Sequence, residues 1–571
     1  MMLNKIVNSK YTFYALMSAY IFYLWDSDGK YGFSPTDEAR ILGYIERISY
    51  GELPHLDFIF PHLAGTAYLY YFLNFLNSDV IFLQRFLGII TLTLYSYLLL
   101  KLSGDIFAKQ NNLVKILLVT LSLNINMHTF SLYIWSTTDA IFLSVIASFL
   151  ITKSKKLKLA GFFILGSVPI MKSGFLFSTL ILYTYFISKE GLKLNKILKP
   201  SLSFSLVPLS YLSLLMLNSG LDEMFYELFA LPKFWTKWLS ALGLFDFTLI
   251  VLTFVTCLPF FLIFLNSKYL DIAIPILFSI LFLVLIEDFT IIYQKPRFFL
   301  YSLYIFLAIF IQKKKIPELK NFELPFLLCL ILGFSATLSD GWSVSLWVNG
   351  SILSLCILLI FELSNSYKFK IKKFDYSYLS QILIILIIFF IPYSENTEAR
   401  DNYTYRDLSD NSKLTYNLNN LNKYYGNIYT SKNVYNYLES LQKCIGLIDN
   451  KNISVYPDNP IIYSMYNLKN PLIIDRYEGY FVSTDYDDIK LYENIAALNS
   501  NKDASYAIFL QTYPTSKLIE IDSQNINLLN DRNSTGFHPE ILQSIEFIKT
   551  NLEGDKATCD SFEIIYKNIE Y

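Results

Sequence analysis

From residue 11 to residue 393 the chain keeps returning to apolar runs with few or no charges, many of them near the roughly 20 residues that cross a bilayer as a helix. Backbone inside lipid has to satisfy its own hydrogen bonds, so such runs are helices wherever they face hydrocarbon. They lie near 11–25, 80–100, 113–133, 139–152, 159–171, 173–188, 201–217, 247–266, 271–287, 298–311, 323–338, 345–363 and 377–393. The expectation is a polytopic α-helical membrane protein with about thirteen crossings. The pair at 159–188 reads either as a hairpin of short helices or as a re-entrant pair. Of all residues 53% are apolar and only 17% charged, where a soluble domain carries about a quarter charged, which excludes an ordinary soluble enzyme.

Charge divides the chain into two parts. Residues 1–393 hold 31 basic and 23 acidic side chains, and residues 394–571 hold 16 and 25. With the amino terminus in the cytoplasm, the inner loops collect 22 of those 31 basic residues, among them Lys153, Lys155, Lys156, Lys158 and Lys313, Lys314, Lys315. This is the asymmetry that orients membrane helices, and an odd number of crossings then carries the tail to the extracytoplasmic side. No contiguous basic stripe exists outside the short loops, which argues against a nucleic-acid partner. Trp25-Asp26-Ser27-Asp28 follows the first run without a small-residue cleavage site, so that run reads as a retained helix, and the expected localisation is a bacterial inner or cell membrane.

Two segments stand out from the spans. Residues 26–79 form a long first external loop in which Glu38 to Ser49 and Leu63 to Leu76 read as short helices lying along the membrane surface. After Pro392 the composition turns to Asn, Tyr, Asp and Ser, and 394–571 reads as a separate α/β domain with strand-like pieces at Ile453–Tyr456, Leu472–Ile474 and Ala507–Leu510. Cys257, Cys329 and Cys356 sit in apolar spans. Cys444 and Cys559 lie in the tail, either bridged or as two thiols.

Phosphate-binding loops of the Walker type, GxGxxG, HExxH and CxxC are all missing from the sequence, so nucleotide and zinc-protease chemistry have no support. Polar chemistry gathers in the first loop: Ser34-Pro35-Thr36-Asp37-Glu38-Ala39-Arg40, then Gly51-Glu52-Leu53-Pro54-His55-Leu56-Asp57-Phe58, then Pro61-His62 and the aromatic run Tyr68 to Phe75. An Asp-Glu pair soon after the first span, a helix, a Gly-x-x-Pro turn and an Asp-Phe step resemble the GT-C membrane glycosyltransferases, in the branch of protein O-mannosyltransferases and the lipid A aminoarabinose transferase. Thr138-Asp139-Ala140 resembles the acidic residue the family often has there. Ile170-Met171-Lys172-Ser173-Gly174 resembles its Leu-Thr-Lys-x-Gly stretch, with Met171 in place of Thr, and Lys295-Pro296-Arg297-Phe298 its Arg-Tyr step, with Phe298 in place of Tyr. The similarity in architecture covers about residues 1–393.

That resemblance implies a polyprenyl-phosphate sugar as donor, an envelope glycan, lipid or protein as acceptor, and no nucleotide pocket. Asp37, with Glu38 beside it, is the expected proton acceptor for the attacking hydroxyl. Arg297, Lys295, Arg40 and Lys172 are expected to meet the departing phosphate, where fixed cations act strongly once water is excluded. His55, Asp57, His62 and Asp139 are expected to bind substrate. No cofactor is required by the sequence, although an Asp-Glu pair is also a donor set for a divalent metal. Structural readings stand beside these: acidic residues in a helix's first turn cap and favour its dipole, Asp57 caps a turn or pairs with Arg47, the histidines bond backbone or water, and Arg297 snorkels to the interface. A transporter or flippase of lipid-linked sugars is the alternative function, and it would carry duplicated hydropathy halves, which the sequence lacks.

Overall fold

The computed structural model describes residues 9–35, 38–60, 63–127, 132–191, 193–230, 306–307, 309–310, 317–340, 346–366, 411–457, 459–475, 484–512 and 539–569. The expected spans at 247–266, 271–287 and 377–393, most of the one at 298–311, and the expected domain boundary at 393/394 lie outside the described residues.

The apolar runs fold as helices: α1 (Lys10–Leu24), α2 (Arg40–Ser49) and α3 (Gly65–Leu69) in and before the first loop, then α4 (Val80–Lys101), α5 (Asn112–Met127), α6 (Ser136–Lys153), α7 (Lys158–Met171), α8 (Leu176–Glu190), α9 (Leu194–Leu217), α10 (Lys320–Asp340) and α11 (Asn349–Ser366). Among the described residues four stretches, in α4, α6, α9 and α10, are long and apolar enough to cross a membrane. Polar side chains inside this apolar bundle find partners within it, on their own helix or on a neighbour, because lipid offers none. In α6, Ser144, Ser148 and Thr152 each donate to the carbonyl four residues back, at 2.7–2.8 Å. Between helices, Asn126 Nδ2 donates to Ser351 Oγ at 2.9 Å while its Oδ1 accepts from Gly350 N at 2.9 Å, knotting α5 to α11 with both ends of the amide satisfied.

The pair at 159–188 is two short helices joined by a tight turn, an arrangement that a hairpin and a re-entrant pair share. Lys158 at the start of α7 forms an ion pair with Glu190 at the end of α8, which brings the two far ends together and leaves Lys172 at the turn. With 14 and 15 residues, these helices rise about 21 and 22 Å, less than a hydrocarbon core of about 30 Å. Helix α7 packs between α6 and α9. At Gly166 the backbones meet: a Cβ there would lie 1.8 Å from the Phe204 carbonyl oxygen, so only glycine permits the approach.

In the first loop, α2 matches the expected helix to within two residues. The second expected helix is broken: α3 covers Gly65–Leu69 and a 3₁₀ turn covers Tyr71–Phe75. Ala67, Tyr70 and Leu73 face inward, whereas Tyr68, Leu69, Phe72 and Phe75 are exposed on a stretch that carries no charge, the pattern of an element resting in a membrane interface.

The tail contains α12 (Lys432–Ile445), α13 (Ile461–Tyr466), α14 (Thr484–Ser500) and α15 (Pro539–Asn551), with a mixed sheet of β1 (Ile453–Tyr456), β2 (Tyr506–Gln511), β3 (Asp555–Cys559) and β4 (Phe562–Lys567) in the order β1-β2-β4-β3. β1 and β2 run parallel, with Ile453 opposite Ala507, and the β3–β4 hairpin closes the other edge antiparallel. Cys444 and Cys559 are joined by a disulfide across 115 residues, tying α12 to β3. Leu472–Ile474, expected as a strand, pairs with no strand of this sheet. Its carbonyls are engaged by the first loop instead: Ile59 N donates to Ile473 O at 3.0 Å, and Arg47 donates to Leu472 O.

That contact belongs to a wide junction. Leu42 and Ile45 of α2 share one hydrophobic cluster with Tyr424, Leu438, Ile461 and Ile462 of the tail. The loop and tail also exchange backbone bonds, Gly32 N to Tyr429 O at 2.9 Å and Tyr429 N to Lys30 O at 2.8 Å. Burying α2 on one side against the tail and on another against the membrane helices fixes the loop that carries the polar residues.

Candidate functional site

Helix α2 directs Arg40, Ile41 and Tyr44 into a narrow, partly open cleft. These positions share a face because residues three and four apart line up on a helix. Phe60, Leu63 and Thr66 form a second wall, and Ile134, Trp135 and Ser136, at the entry to α6, form the third. Among the described residues of the lining Arg40 alone is charged, and its Nε donates to Tyr44 Oη at 3.2 Å, with the guanidinium over the Tyr44 ring. One turn beyond Ser136, in the same helix, Asp139 is buried; its Oδ1 accepts from Tyr70 Oη at 2.8 Å and its Oδ2 has no hydrogen-bond partner among the described residues. Burial and the adjacent Asp139 carboxylate push the Tyr70 hydroxyl well above its usual range, so it stays a donor.

The Lys172 turn reaches the same region. A Cβ on Gly65 would lie 2.7 Å from the Ile170 carbonyl, and Thr66, which lines the cleft, has its hydroxyl 3.8 Å from Met171 Sδ. Lys172 itself is buried, 3% exposed. The cleft therefore gathers Arg40 at its wall, Asp139 beneath it and the Lys172 turn behind Thr66.

Glu38 is engaged elsewhere. Both its carboxylate oxygens meet the Arg85 guanidinium, Nη2 at 2.7 Å, and Arg85 also donates to the carbonyls of Gly29 at 2.7 Å and of Gly32. Gln84 Nε2 donates to the Glu38 carbonyl at 2.6 Å. The pair is buried and closes the 29–38 segment onto the first turns of α4. Arg85 was not among the residues singled out from the sequence. The signal was present, since an arginine six residues into an apolar span demands a partner.

His55 has φ +71°, rare for a residue with a side chain, and its buried ring bonds Glu227 through Nδ1. Burial lowers its pKa to about 3, so the ring is neutral; Nε2 has no partner among the described residues. Its ring stands edge-on to Phe60, 5.9 Å between centroids, and so backs a wall of the cleft without lining it. Asp57 is exposed and accepts from Leu53 N at 2.7 Å, closing the 53–58 turn. The expected alternative, a pair with Arg47, gives way to another partner: Arg47 Nε lies 2.8 Å from both oxygens of Asp475, and its Nη1 lies 2.7 Å from Glu52. Burial alone would pull the Arg47 pKa down, but these two carboxylates outweigh it and hold the pKa up. Asp37, His62, Lys295 and Arg297 lie outside the described residues.

Glu46, buried on α2, is pushed up to about 7 by desolvation. Among the described residues, the cluster with metal-like spacing is Cys444, Cys559 and Asp560, and there the two sulfurs are already spent on each other. No protein family, curated protein or solved structure matches the chain.

Proposed function

We propose that this chain is a polytopic membrane glycosyltransferase of the GT-C kind, with about thirteen crossings, which transfers a sugar from a polyprenyl-phosphate donor to a hydroxyl of an envelope glycan, lipid or protein on the extracytoplasmic side. The observation that carries this reading is the cleft: a cation, Arg40, among aromatic and aliphatic walls, where the first loop meets the entry to a membrane helix. Such a lining suits a lipid-borne anion followed by a sugar ring, since rings pack on aromatic faces and an arginine offers paired donors to phosphate. The Cys444–Cys559 bond supports an oxidising compartment for the tail, in keeping with the lysine asymmetry of the loops.

In this reaction the acceptor oxygen bonds the anomeric carbon as the bond to the phosphate oxygen breaks; polyprenyl phosphate leaves, and the hydroxyl proton passes to Asp37. Arg40, with Lys172, Lys295 and Arg297, stabilises the charge gathering on the departing phosphate. A single displacement inverts the anomeric centre. Asp139, oriented by Tyr70, holds sugar hydroxyls, and dependence of the transfer on a divalent metal is tested by adding and chelating Mg²⁺ and Mn²⁺.

The test uses the full chain in liposomes with a panel of undecaprenyl-phosphate sugars and envelope extracts as acceptor. The expected result is sugar transfer with release of undecaprenyl phosphate, lowered at least 100-fold in Asp37→Asn while the protein remains inserted with its disulfide formed. Sugar that crosses the bilayer still attached to its lipid would establish the flippase instead. Wild-type turnover by Asp37→Asn would remove Asp37 from the mechanism.

A further inference from the structure

Helix α2 has two working faces. Arg40, Ile41 and Tyr44 face the cleft, while Gly43 and Arg47, one turn apart on the neighbouring face, meet the tail. At Gly43 the contact is backbone-close: a Cβ there would lie 2.8 Å from Pro460 Cβ and 3.2 Å from the Pro460 carbonyl oxygen, so α13 and α2 touch without an intervening side chain. At Arg47 the contact is a clasp. The side chain is 4% exposed and that of Asp475 is 2% exposed; the guanidinium bonds Asp475, Glu52 and the Leu472 carbonyl, and Asp475 also accepts from Asn470 Nδ2 at 2.7 Å. A charge pair this enclosed tolerates little displacement, because moving either partner strands the other out of water. Tyr50, just past the end of α2, adds a third tie, its hydroxyl 2.8 Å from Asn467 Oδ1.

We infer that the tail is the positioning element of the cleft: the Gly43–Pro460 contact and the Arg47–Asp475 clasp set where α2 stands, and with it Arg40 and Tyr44. The tail thus acts on the cleft through α2, contributing none of the lining residues among those described. Gly43, Arg47, Pro460 and Asp475 are positioning residues in this scheme. The geometry stands by itself; only the choice of ligand in the experiment rests on the proposed donor.

The full chain in detergent carries a Leu63→Cys reporter in the wall facing α2, and its reaction rate with a small maleimide is compared among otherwise unchanged protein, Gly43→Ala, Pro460→Gly and the double variant. In parallel, the affinity of each form lacking the reporter for undecaprenyl phosphate is titrated by native mass spectrometry. Gly43→Ala is expected to change the labelling rate at least threefold and to weaken lipid binding at least threefold. Pro460→Gly removes the opposing Cβ, so the double variant is expected to recover both, a rescue that general destabilisation would not give. If Gly43→Ala does not fold, Asp475→Asn, which keeps the shape of the clasp and removes its charge, is expected to shift both readouts in the same sense. Unchanged labelling in folded Gly43→Ala, or no recovery in the double variant, overturns the inference. Absence of lipid binding by the wild type overturns the proposed donor, while the labelling arm still decides the role of the tail.

Discussion

Replacing Glu38 with Ala separates a structural from a chemical role at the acidic pair. The Arg85 guanidinium is 3% exposed and the Glu38 carboxylate fully enclosed, so the variant leaves a cation with carbonyls of Gly29, Tyr31 and Gly32 but, among the described residues, no paired carboxylate. Arginine does not discharge, and breaking a buried pair by removing one partner costs about 3–5 kcal/mol. The loss falls locally, on the 29–38 segment that the pair holds to α4, so amide hydrogen exchange is the suitable assay. At about 1.4 kcal/mol per factor of ten, peptides covering 29–35 should exchange at least about 100-fold faster in Glu38→Ala. Glu38→Gln, which keeps an acceptor, should fall between that variant and the wild type. Exchange at wild-type rates in Glu38→Ala, together with abolished sugar transfer, would refute the argument and move Glu38 into the chemistry.

Three further outcomes are expected. Cys444→Ser removes a link that closes 115 residues, and should destabilise the tail by about 2–5 kcal/mol, read as earlier denaturant unfolding matched by reduction of the wild type. Because burial raises Glu46 to about 7 from an ordinary value near 4.5, the folded state binds its proton more tightly than the unfolded chain. Its favourable contribution is present below about pH 4.5 and is lost as pH rises through about 7. Glu46→Gln should therefore be more stable than wild type at pH 8 and match it near pH 5 in thermal unfolding. Gly166→Val pushes side-chain atoms into the Phe204 carbonyl and should separate α7 from α9, lowering the yield of folded protein in detergent while Gly161→Ser, nearer the helix start, has a milder effect.

Local pattern made the membrane helices readable: α4 and α6 begin and end within three residues of their apolar runs, because hydropathy alone decides whether a segment enters lipid. β1 and β2 were readable for a similar reason, as short apolar stretches between polar turns. The β3–β4 hairpin escaped, although Phe562 and Ile564 alternate with Glu563 as a strand should, since Asp555, Lys556 and Thr558 give the other strand no apolar face to notice. The site was readable only in its ingredients. Arg40 and Asp139 were singled out, but Phe60, Trp135 and Tyr70 are ordinary aromatic residues until folding brings them together. The pairing of Arg47 with Asp475 was not readable, because an ion pair 428 residues apart leaves no periodicity behind it, and Arg85 announced its need of a partner without showing that the partner is Glu38.

The separation between Arg47 and Asp475 has a cost during synthesis. At about 5–20 residues per second, the 428 residues between them take roughly twenty to ninety seconds to make. Throughout that interval the apolar side of α2 has left the ribosome while its cover does not yet exist. A newborn chain thus carries Leu42 and Ile45 with only their first-loop neighbours, such as Phe58 and Phe60, against them until the last third of the polypeptide arrives.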